Sequence, residues 1–283
     1  MKEEILRVKY RIQGKDDYSF DFHSHPEYEI YFFHKGSCRY LIHNKIYDLE
    51  PGDILLMDGL TMHRPNFDPN MDYVRSLLHF SPEWIKGLLE ELGSMYLIEV
   101  FQKLHHCLIR TNESKESKRL EALISQLAEL KNKSELHDHL AETEMKALFI
   151  QVLISVYRLG QLVSIKIPNQ KGDKIEHAEN IANYIQENYM NKLTLVMIAE
   201  ALNLSKSYVS HVFKEMTGFT VMEYVMGCRL TQVKYLLEME PDKAIHEIAY
   251  DCGFESASHF SRYFNEKMGV TAREYRKMRL QNR

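Results

Sequence analysis

The stretches 198–224, IAEALNLSKSYVSHVFKEMTGFTVMEY, and 248–275, IAYDCGFESASHFSRYFNEKMGVTAREY, decide the fold of the C-terminal hundred residues because they are two copies of one unit. The serines Ser205 and Ser256 are 51 residues apart, whereas the alanines that precede them are 50 apart. The second copy therefore has one extra residue in the turn before its serine. Matching apolar positions in two consecutive segments predict two similar helical modules.

Each copy has the pattern of a helix-turn-helix. A short first helix ends at a turn that contains Asn203 in one copy and Gly253 in the other, two residue types that adopt left-handed backbone. Ser205 and Ser256 then cap the second helices, whose exposed N-terminal residues would enter a DNA major groove. The predicted DNA contacts are Ser205, Lys206, Ser207, Tyr208, His211, Lys214, Ser256, Ser258, His259 and Arg262.

A long amphipathic helix is predicted between the modules, from Thr220 to Leu237. At about 1.5 Å per residue it spans about 27 Å, which suits two recognition helices in successive major grooves about 34 Å apart. The alternative is a plain helical bundle whose turns resemble each other.

Length and composition indicate a globular chain with more than one domain. The chain has 283 residues, of which 45% are apolar and 27% charged, so we expect two folding units. The acidic residues of Met1-Lys2-Glu3-Glu4 are not expected in a signal peptide, and the absence of a run of about 20 apolar residues predicts no membrane span. The four cysteines have no CxxC spacing, which favours reduced thiols in a cytoplasmic protein.

The overall negative charge of the chain argues against a nucleic-acid partner, but the uneven distribution of its charges weakens this argument. The net charge is −4, but residues 259–283 carry 7 basic and 2 acidic side chains. A basic segment of this kind can contact phosphates, although terminal charge runs are usually solvated faces.

The N-terminal part has the pattern of an all-β unit. From Tyr18 to about Phe80, short runs rich in β-branched and aromatic residues alternate with turns such as Pro51-Gly52-Asp53. Strands at about ten-residue spacing indicate a barrel or sandwich. We therefore assign residues 1–80 to this unit.

Residues 81–166 are predicted to be helical. Ser81-Pro82 is typical of a helix start, and Leu120, Leu123, Leu127 and Leu130 form one helical stripe. Such a stripe is more often domain core than an oligomer seam, but we expect this segment to dimerise the protein, with the stripe and the following helix forming a two-fold interface. A polar linker at 167–173 then leads to the helical domain at 174–283, with its modules at about 194–216 and 244–268.

The C-terminal domain resembles the DNA-binding domain of the AraC/XylS family of bacterial transcription regulators over about residues 175–280. The motifs that carry the resemblance are Gly253-Phe254, Ser261-Arg262-Tyr263-Phe264, Gly269-Val270-Thr271 and Glu274-Tyr275-Arg276. The resemblance implies a reader of two adjacent grooves of promoter DNA. It also implies contact with RNA polymerase if the protein is an activator.

The N-terminal unit resembles the cupin-like barrel with which such regulators sense ligands. His23-Ser24-His25, Glu29 and Gly36 match the first cupin motif, and Pro51-Gly52-Asp53 with His63 matches the second. The equivalent metal ligands would be His23, His25, Glu29 and His63, and such a donor set suits Fe, Mn, Ni or Zn. We favour a pocket without metal or cofactor, in which the candidate effector contacts are His23, His25, Glu29, Tyr31, Arg39 and His63.

These observations predict a cytoplasmic transcription regulator of mixed, two-domain fold that is not an enzyme. A small molecule, with sugars as one candidate class, would bind in the barrel, and the protein would act as a homodimer. The first alternative is a metal-dependent cupin enzyme with a helical appendage, which leaves the C-terminal repeat without a purpose. The second is a helical scaffold that does not bind DNA.

Overall fold

The computed structural model describes residues 5–14, 27–42, 44–57, 63–68, 70–103, 107–112, 114–133, 139–162 and 172–281. The strands in these residues are β1 (Leu6–Gln13), β2 (Tyr28–Lys35), β3 (Cys38–Ile42), β4 (Lys45–Leu49), β5 (Ile54–Met57), β6 (His63–Phe67), β7 (Val74–Phe80) and β8 (Cys107–Ile109). The helices of the N-terminal half are α1 (Pro82–Glu91), α2 (Tyr96–Lys103), α3 (Lys115–Lys133) and α4 (His139–Leu162). Those of the C-terminal half are α5 (Asp173–Asn188), α6 (Leu195–Ala201), α7 (Lys206–Thr217), α8 (Val221–Met239), α9 (Ile245–Asp251), α10 (Ala257–Met268) and α11 (Ala272–Gln281).

The strands form two antiparallel sheets that pack face to face. The larger sheet has the order β1-β7-β2-β5-β8 and the smaller one, called sheet B here, has the order β4-β3-β6. The predicted all-β unit is thus confirmed, although two of its strands were not predicted. Strand β1 precedes the stretch that begins at Tyr18, and β8 lies within the segment expected to be helical and pairs with β5.

The larger sheet is buried on both faces, which is why its central strands lack the polar-apolar alternation of a solvent-facing strand. Residues on one face of β2, such as Tyr31 and Phe33, pack toward sheet B. The intervening residues Ile30 and Phe32 pack with α3 and α4 in a second core. All seven residues of β7 are buried for the same reason.

The leucine stripe of α3 lies in this second core and not on the surface. Leu120 and Leu127 are fully buried, Leu123 is 7% exposed, and Leu130 packs at the margin. The expectation that the stripe carries a two-fold interface is therefore wrong, because its leucines already pack against α4 and the larger sheet.

The C-terminal half confirms the repeated helix-turn-helix. Helices α6 and α9 have 7 residues each, and α7 and α10 have 12 each. Asn203 and Gly253 adopt the left-handed conformation at the two turns, with φ of 54° and 87°. The linking helix α8 has 19 residues. Of the predicted linker, residues 167–171 lie outside the described residues, and Asp173 already belongs to α5. No helix among the described residues has both the length and the apolar character needed to cross a membrane.

Candidate DNA-binding surface and effector site

The outer face of α7 presents the polar side chains that the sequence predicted. Ser205 caps the helix, its hydroxyl oxygen accepting the backbone N–H of Tyr208 at 3.2 Å. Lys206, Ser207, His211 and Lys214 are exposed and line a groove of about 760 Å³. Lysines, a hydroxyl and an imidazole on the exposed side of a recognition helix can donate hydrogen bonds to phosphates and base edges.

Tyr208 differs from the other members of this set because it is half-buried. Its hydroxyl is 2.8 Å from Nδ1 of His177 on α5. This contact turns the tyrosine toward α5 and away from the exposed row of polar side chains on α7. Sequence reasoning missed His177, since nothing in the repeated unit points to a residue that precedes it.

The second recognition helix repeats the arrangement with different chemistry. The Ser256 hydroxyl accepts the His259 N–H at 3.3 Å, and Ser258, His259 and Arg262 are exposed. Arg262 takes the place that His211 has in the first module. The two modules thus share a backbone conformation but present different exposed side chains.

Arg229 on α8 fixes the two modules to each other. Its guanidinium donates from Nε to the Tyr189 carbonyl at 2.8 Å and from Nη2 to the Asn191 carbonyl at 2.9 Å. Gly253 packs against the same place, and a Cβ added to it would lie 2.7 Å from the Met190 carbonyl oxygen and 2.9 Å from Arg229 Nε. The turn of the second module therefore rests directly on the loop before α6.

The interior between the two sheets contains a cluster of buried ionisable groups. Oε2 of Glu29 on β2 lies 3.1 Å from Nε2 of His63 on β6 and 3.2 Å from Nε2 of His79 on β7. All three are less than 10% exposed. Sequence reasoning missed His79, although it stands directly opposite Glu29 in the β2–β7 register, where cross-strand neighbours share one face.

A second set of polar side chains lies in the same interior between the two sheets. The hydroxyls of Tyr31 and Tyr73 are 2.9 Å apart, and burial raises the pKa of both well above its usual value. Arg75 is 1% exposed, with Nη1 donating to the Gly14 carbonyl at 2.7 Å and its guanidinium 4.4 Å from the centre of the Tyr73 ring. Burial also raises the pKa of the Cys38 thiol to about 12, so this cysteine is an unreactive thiol.

The structure does not bring together all the predicted effector contacts. Glu29, Tyr31 and His63 share the interior, and His23 and His25 lie outside the described residues. Arg39 is on the opposite face of sheet B, where its Nε pairs with Asp48 at 2.8 Å. Strand alternation explains the difference, because neighbouring residues point to opposite faces.

No group of three or more side chains among the described residues is arranged to hold a metal ion. The described part of the predicted metal set consists of Glu29 and His63, which lie within hydrogen-bonding distance of each other.

Sheet B touches the DNA-binding domain with its outer face. Leu41 on β3 and Ile46 on β4 belong to the core formed by α5, α6 and α7. Asn66 on β6 donates to the Glu215 carbonyl at 3.0 Å, and Arg39 Nη1 is 3.5 Å from Met216 Sδ. The contacts thus fall on α5 and at the C-terminal end of α7, and they leave the exposed row of polar side chains on α7 open.

Comparisons with known proteins agree with this architecture. Residues 8–153, just over half of the chain, match the family model of the AraC-like ligand binding domain, and residues 198–278 match a helix-turn-helix domain.

Relatives are similar over most of their length. The HTH-type transcriptional regulator YdeC of Bacillus subtilis is 26% identical over 90% of this chain and 86% of its own. The melibiose operon regulatory protein of Escherichia coli is 25% identical over 92% of this chain and 85% of its own. The HTH-type transcriptional activator RhaS of Mannheimia succiniciproducens is 26% identical over 90% and 88%. All three are named as regulators of transcription. The chain belongs to the AraC family of transcription regulators, with a ligand-binding domain followed by a helix-turn-helix DNA-binding domain.

Proposed function

We propose that a small molecule bound between the two sheets sets the affinity of the first module for promoter DNA through sheet B. The observation that carries this proposal is that single strands of sheet B contact both sites. On β6, His63 faces the interior cluster while Asn66 holds the end of α7. On β3, Tyr40 packs inside against Tyr31 while Leu41 packs in the core of the DNA-binding domain.

The interior has the chemistry of an effector site. Glu29, His63 and His79 offer donors and acceptors, and the rings of Tyr31 and Tyr40 offer flat apolar faces. Polar groups that converge on flat rings suit a hydroxylated ligand such as a sugar. A ligand that prefers one arrangement of these strands shifts the population toward it, and the attached α7 shifts with them.

The DNA side consists of the exposed polar residues of α7 and α10. In this proposal Lys206 and Lys214 contact phosphates, while His211, His259 and Arg262 reach base edges. Since bacterial promoter DNA lies in the cytoplasm, the protein acts there.

A homodimer on paired half-sites remains a prediction, supported by the gain in effective concentration that two linked readers provide. Its interface must use surfaces other than the buried leucine stripe. If the protein is an activator, RNA polymerase is a further partner.

The experiment compares DNA affinity in the wild type, His63→Ala and Asn66→Ala. DNA selected from a random pool serves as the site, and melibiose with a panel of pentoses and hexoses serves as the set of probes. We expect one probe to change the wild-type affinity by about tenfold, which corresponds to a typical coupling of about 1.4 kcal/mol. His63→Ala should lose binding of that probe, whereas Asn66→Ala should bind it but respond less. A full response in both variants would contradict the proposed route.

A further inference from the structure

A groove of about 1040 Å³ lies on the second module, between the start of α9, the side of α10 that carries Ala257 and Ser261, and helix α11. Helix α11 contributes three basic side chains to its lining, Arg273, Arg276 and Lys277. Arg273 and Lys277 are exposed and four residues apart, which places them on one face of the helix. Within the described part of the chain, neither has an acidic side chain at ion-pair distance.

Arg276 is only partly satisfied by the fold. Its Nη1 donates to the Pro241 carbonyl at 3.1 Å, whereas Nε and Nη2 are buried without an acceptor among the described residues. Buried donors on a charged group require acceptors. These two nitrogens are enclosed, so Arg276 anchors α11 through its bond to Pro241, and Arg273 and Lys277 are the basic side chains of α11 in this groove that an external phosphate can reach.

The first module provides an internal control for these basic residues. With the 51-residue offset of the repeat, Arg273, Arg276 and Lys277 correspond to Met222, Val225 and Met226 at the start of α8. The same position of the same fold is therefore apolar in the first copy. Arg276 has a structural contact with Pro241, but the exposed charges of Arg273 and Lys277 are not required by the shared fold, which favours a role for them toward a partner outside the module.

The groove borders the face that reads DNA. Ser261 on α10 lines it, and the equivalent Ser210 on α7 lines the groove that contains the predicted DNA contacts Lys206, His211 and Lys214. The basic residues of α11 thus stand beside the exposed face of the second recognition helix.

We propose that Arg273 and Lys277 bind backbone phosphates of DNA next to the site of the second module, and that Arg276 positions α11 through its bond to the Pro241 carbonyl. The proposal rests on DNA binding by the two modules and adds a third element to it. It assigns α11 a sequence-independent role, because phosphate contacts fix position and register while base contacts supply specificity.

The test is a salt titration of DNA binding with full-length protein. The variants are Arg273→Ala, Lys277→Ala, their combination and Arg276→Lys, with Lys133→Ala on α3 as the control because its side chain is 77% exposed and distant in the sequence. Affinity is measured for a site selected from a random pool and for DNA of scrambled sequence. Circular dichroism verifies that each variant is folded.

Each lost phosphate contact should reduce the slope of log affinity against log salt by about 0.9. Between about 50 and about 200 mM salt, the wild type should therefore lose about 3.5-fold more affinity than either single variant. The loss should be equal on both DNAs. Arg276→Lys keeps the charge but alters the anchor of α11 at Pro241, so it should weaken binding with little change in slope.

Two results would overturn the proposal. One is an unchanged affinity and slope in the folded Arg273→Ala, Lys277→Ala double variant, which does not depend on the partly structural Arg276. The other is unchanged DNA binding with reduced transcription in a reconstituted assay, which would assign the groove to a protein carboxylate. If the wild type itself selects no DNA, the proposed function fails and this inference fails with it. If the wild type selects DNA but the double variant binds it unchanged, only this inference fails.

Discussion

A carboxylate oxygen of Glu179 on α5 accepts the backbone N–H of Ile46 on β4 at 2.9 Å, which joins the DNA-binding domain to sheet B through a buried hydrogen bond. Nζ of Lys45 lies 3.6 Å from the other carboxylate oxygen. The junction between sensor and reader therefore includes a charged, directional contact besides the apolar side chains of Leu41 and Ile46.

Glu179→Ala should weaken this junction because it leaves the buried Ile46 N–H without its acceptor. Such a loss costs about 1–3 kcal/mol. Urea unfolding followed by the fluorescence of Trp84, the only tryptophan of the chain, should show a lower midpoint. Glu179→Gln keeps an acceptor and should have a smaller effect. Equal midpoints in all three proteins would mean that the contact contributes nothing to docking.

Gly253→Ala should be far more damaging than Gly269→Ala. Both glycines have positive φ, 87° and 68°, so both substitutions carry a conformational cost of about 1–2 kcal/mol. Only at Gly253 would the new Cβ meet backbone, at 2.7 Å from the Met190 carbonyl, whereas nothing lies within 4 Å at Gly269. We expect a larger fall in melting temperature and a loss of DNA affinity for Gly253→Ala. Similar melting temperatures for the two variants would contradict the packing of the modules described above.

Leu127→Ala should destabilise the N-terminal domain and leave the oligomeric state unchanged. The side chain is fully buried, and truncation of a buried leucine costs about 2–5 kcal/mol. Urea unfolding monitored by Trp84 measures the cost, and sedimentation measures the oligomeric state. A stable variant that dissociates would restore the stripe as a subunit interface.

Arg262→Ala should weaken DNA binding by about 1–3 kcal/mol if the guanidinium contacts a guanine through two hydrogen bonds. The loss should then be accompanied by relaxed preference at one base position. Binding titrations with point-substituted sites provide the measurement. A uniform loss on all sites would reassign Arg262 to a phosphate.

The stability of the helical domain should rise with pH because of Lys234. Burial on α8 lowers the pKa of this lysine to about 7. Below that pH the lysine is charged in both the folded and the unfolded chain, so the folded state carries the cost of burying the charge, which the nearby Glu238 offsets only in part. Between about pH 7 and about pH 10 only the unfolded chain holds the proton, so stability increases with pH.

Lys234→Met should flatten this rise and stabilise the domain at pH 7. Urea midpoints from circular dichroism at several pH values provide the test, with Lys133→Met as an exposed control. Parallel pH curves for wild type and Lys234→Met would show that the lysine titrates normally.

The repeat made the C-terminal domain predictable, since the serine caps and the turn residues Asn203 and Gly253 have local physical reasons to be where they are. The sensor domain was less predictable because its strands are buried on both faces, which removes the alternation that reveals a strand. Strand β8 has only three residues and depends on its pairing with β5, which no local pattern records.

The candidate site residues were likewise easier to predict in the DNA-binding domain than in the sensor domain. Exposure of His211 and Arg262 follows from helical periodicity. Whether the side chains of Arg75 and His79 point into the interior between the sheets depends on strand register. Whether the side chain of Arg39 points away from that interior depends on which face of sheet B the second domain covers. The contact between Tyr208 and His177 depends on the docking of α5, which lies outside the repeated unit.

Selection of bound DNA from a random pool tests the two-module account most directly. Helix α8, which links the two modules, has 19 residues and spans about 28 Å at 1.5 Å per residue. The account predicts a recurrent site with two blocks of defined bases centred about 10 base pairs apart, one helical turn, of which Arg262→Ala alters only one. Enrichment of a single block, or of no sequence, would contradict it.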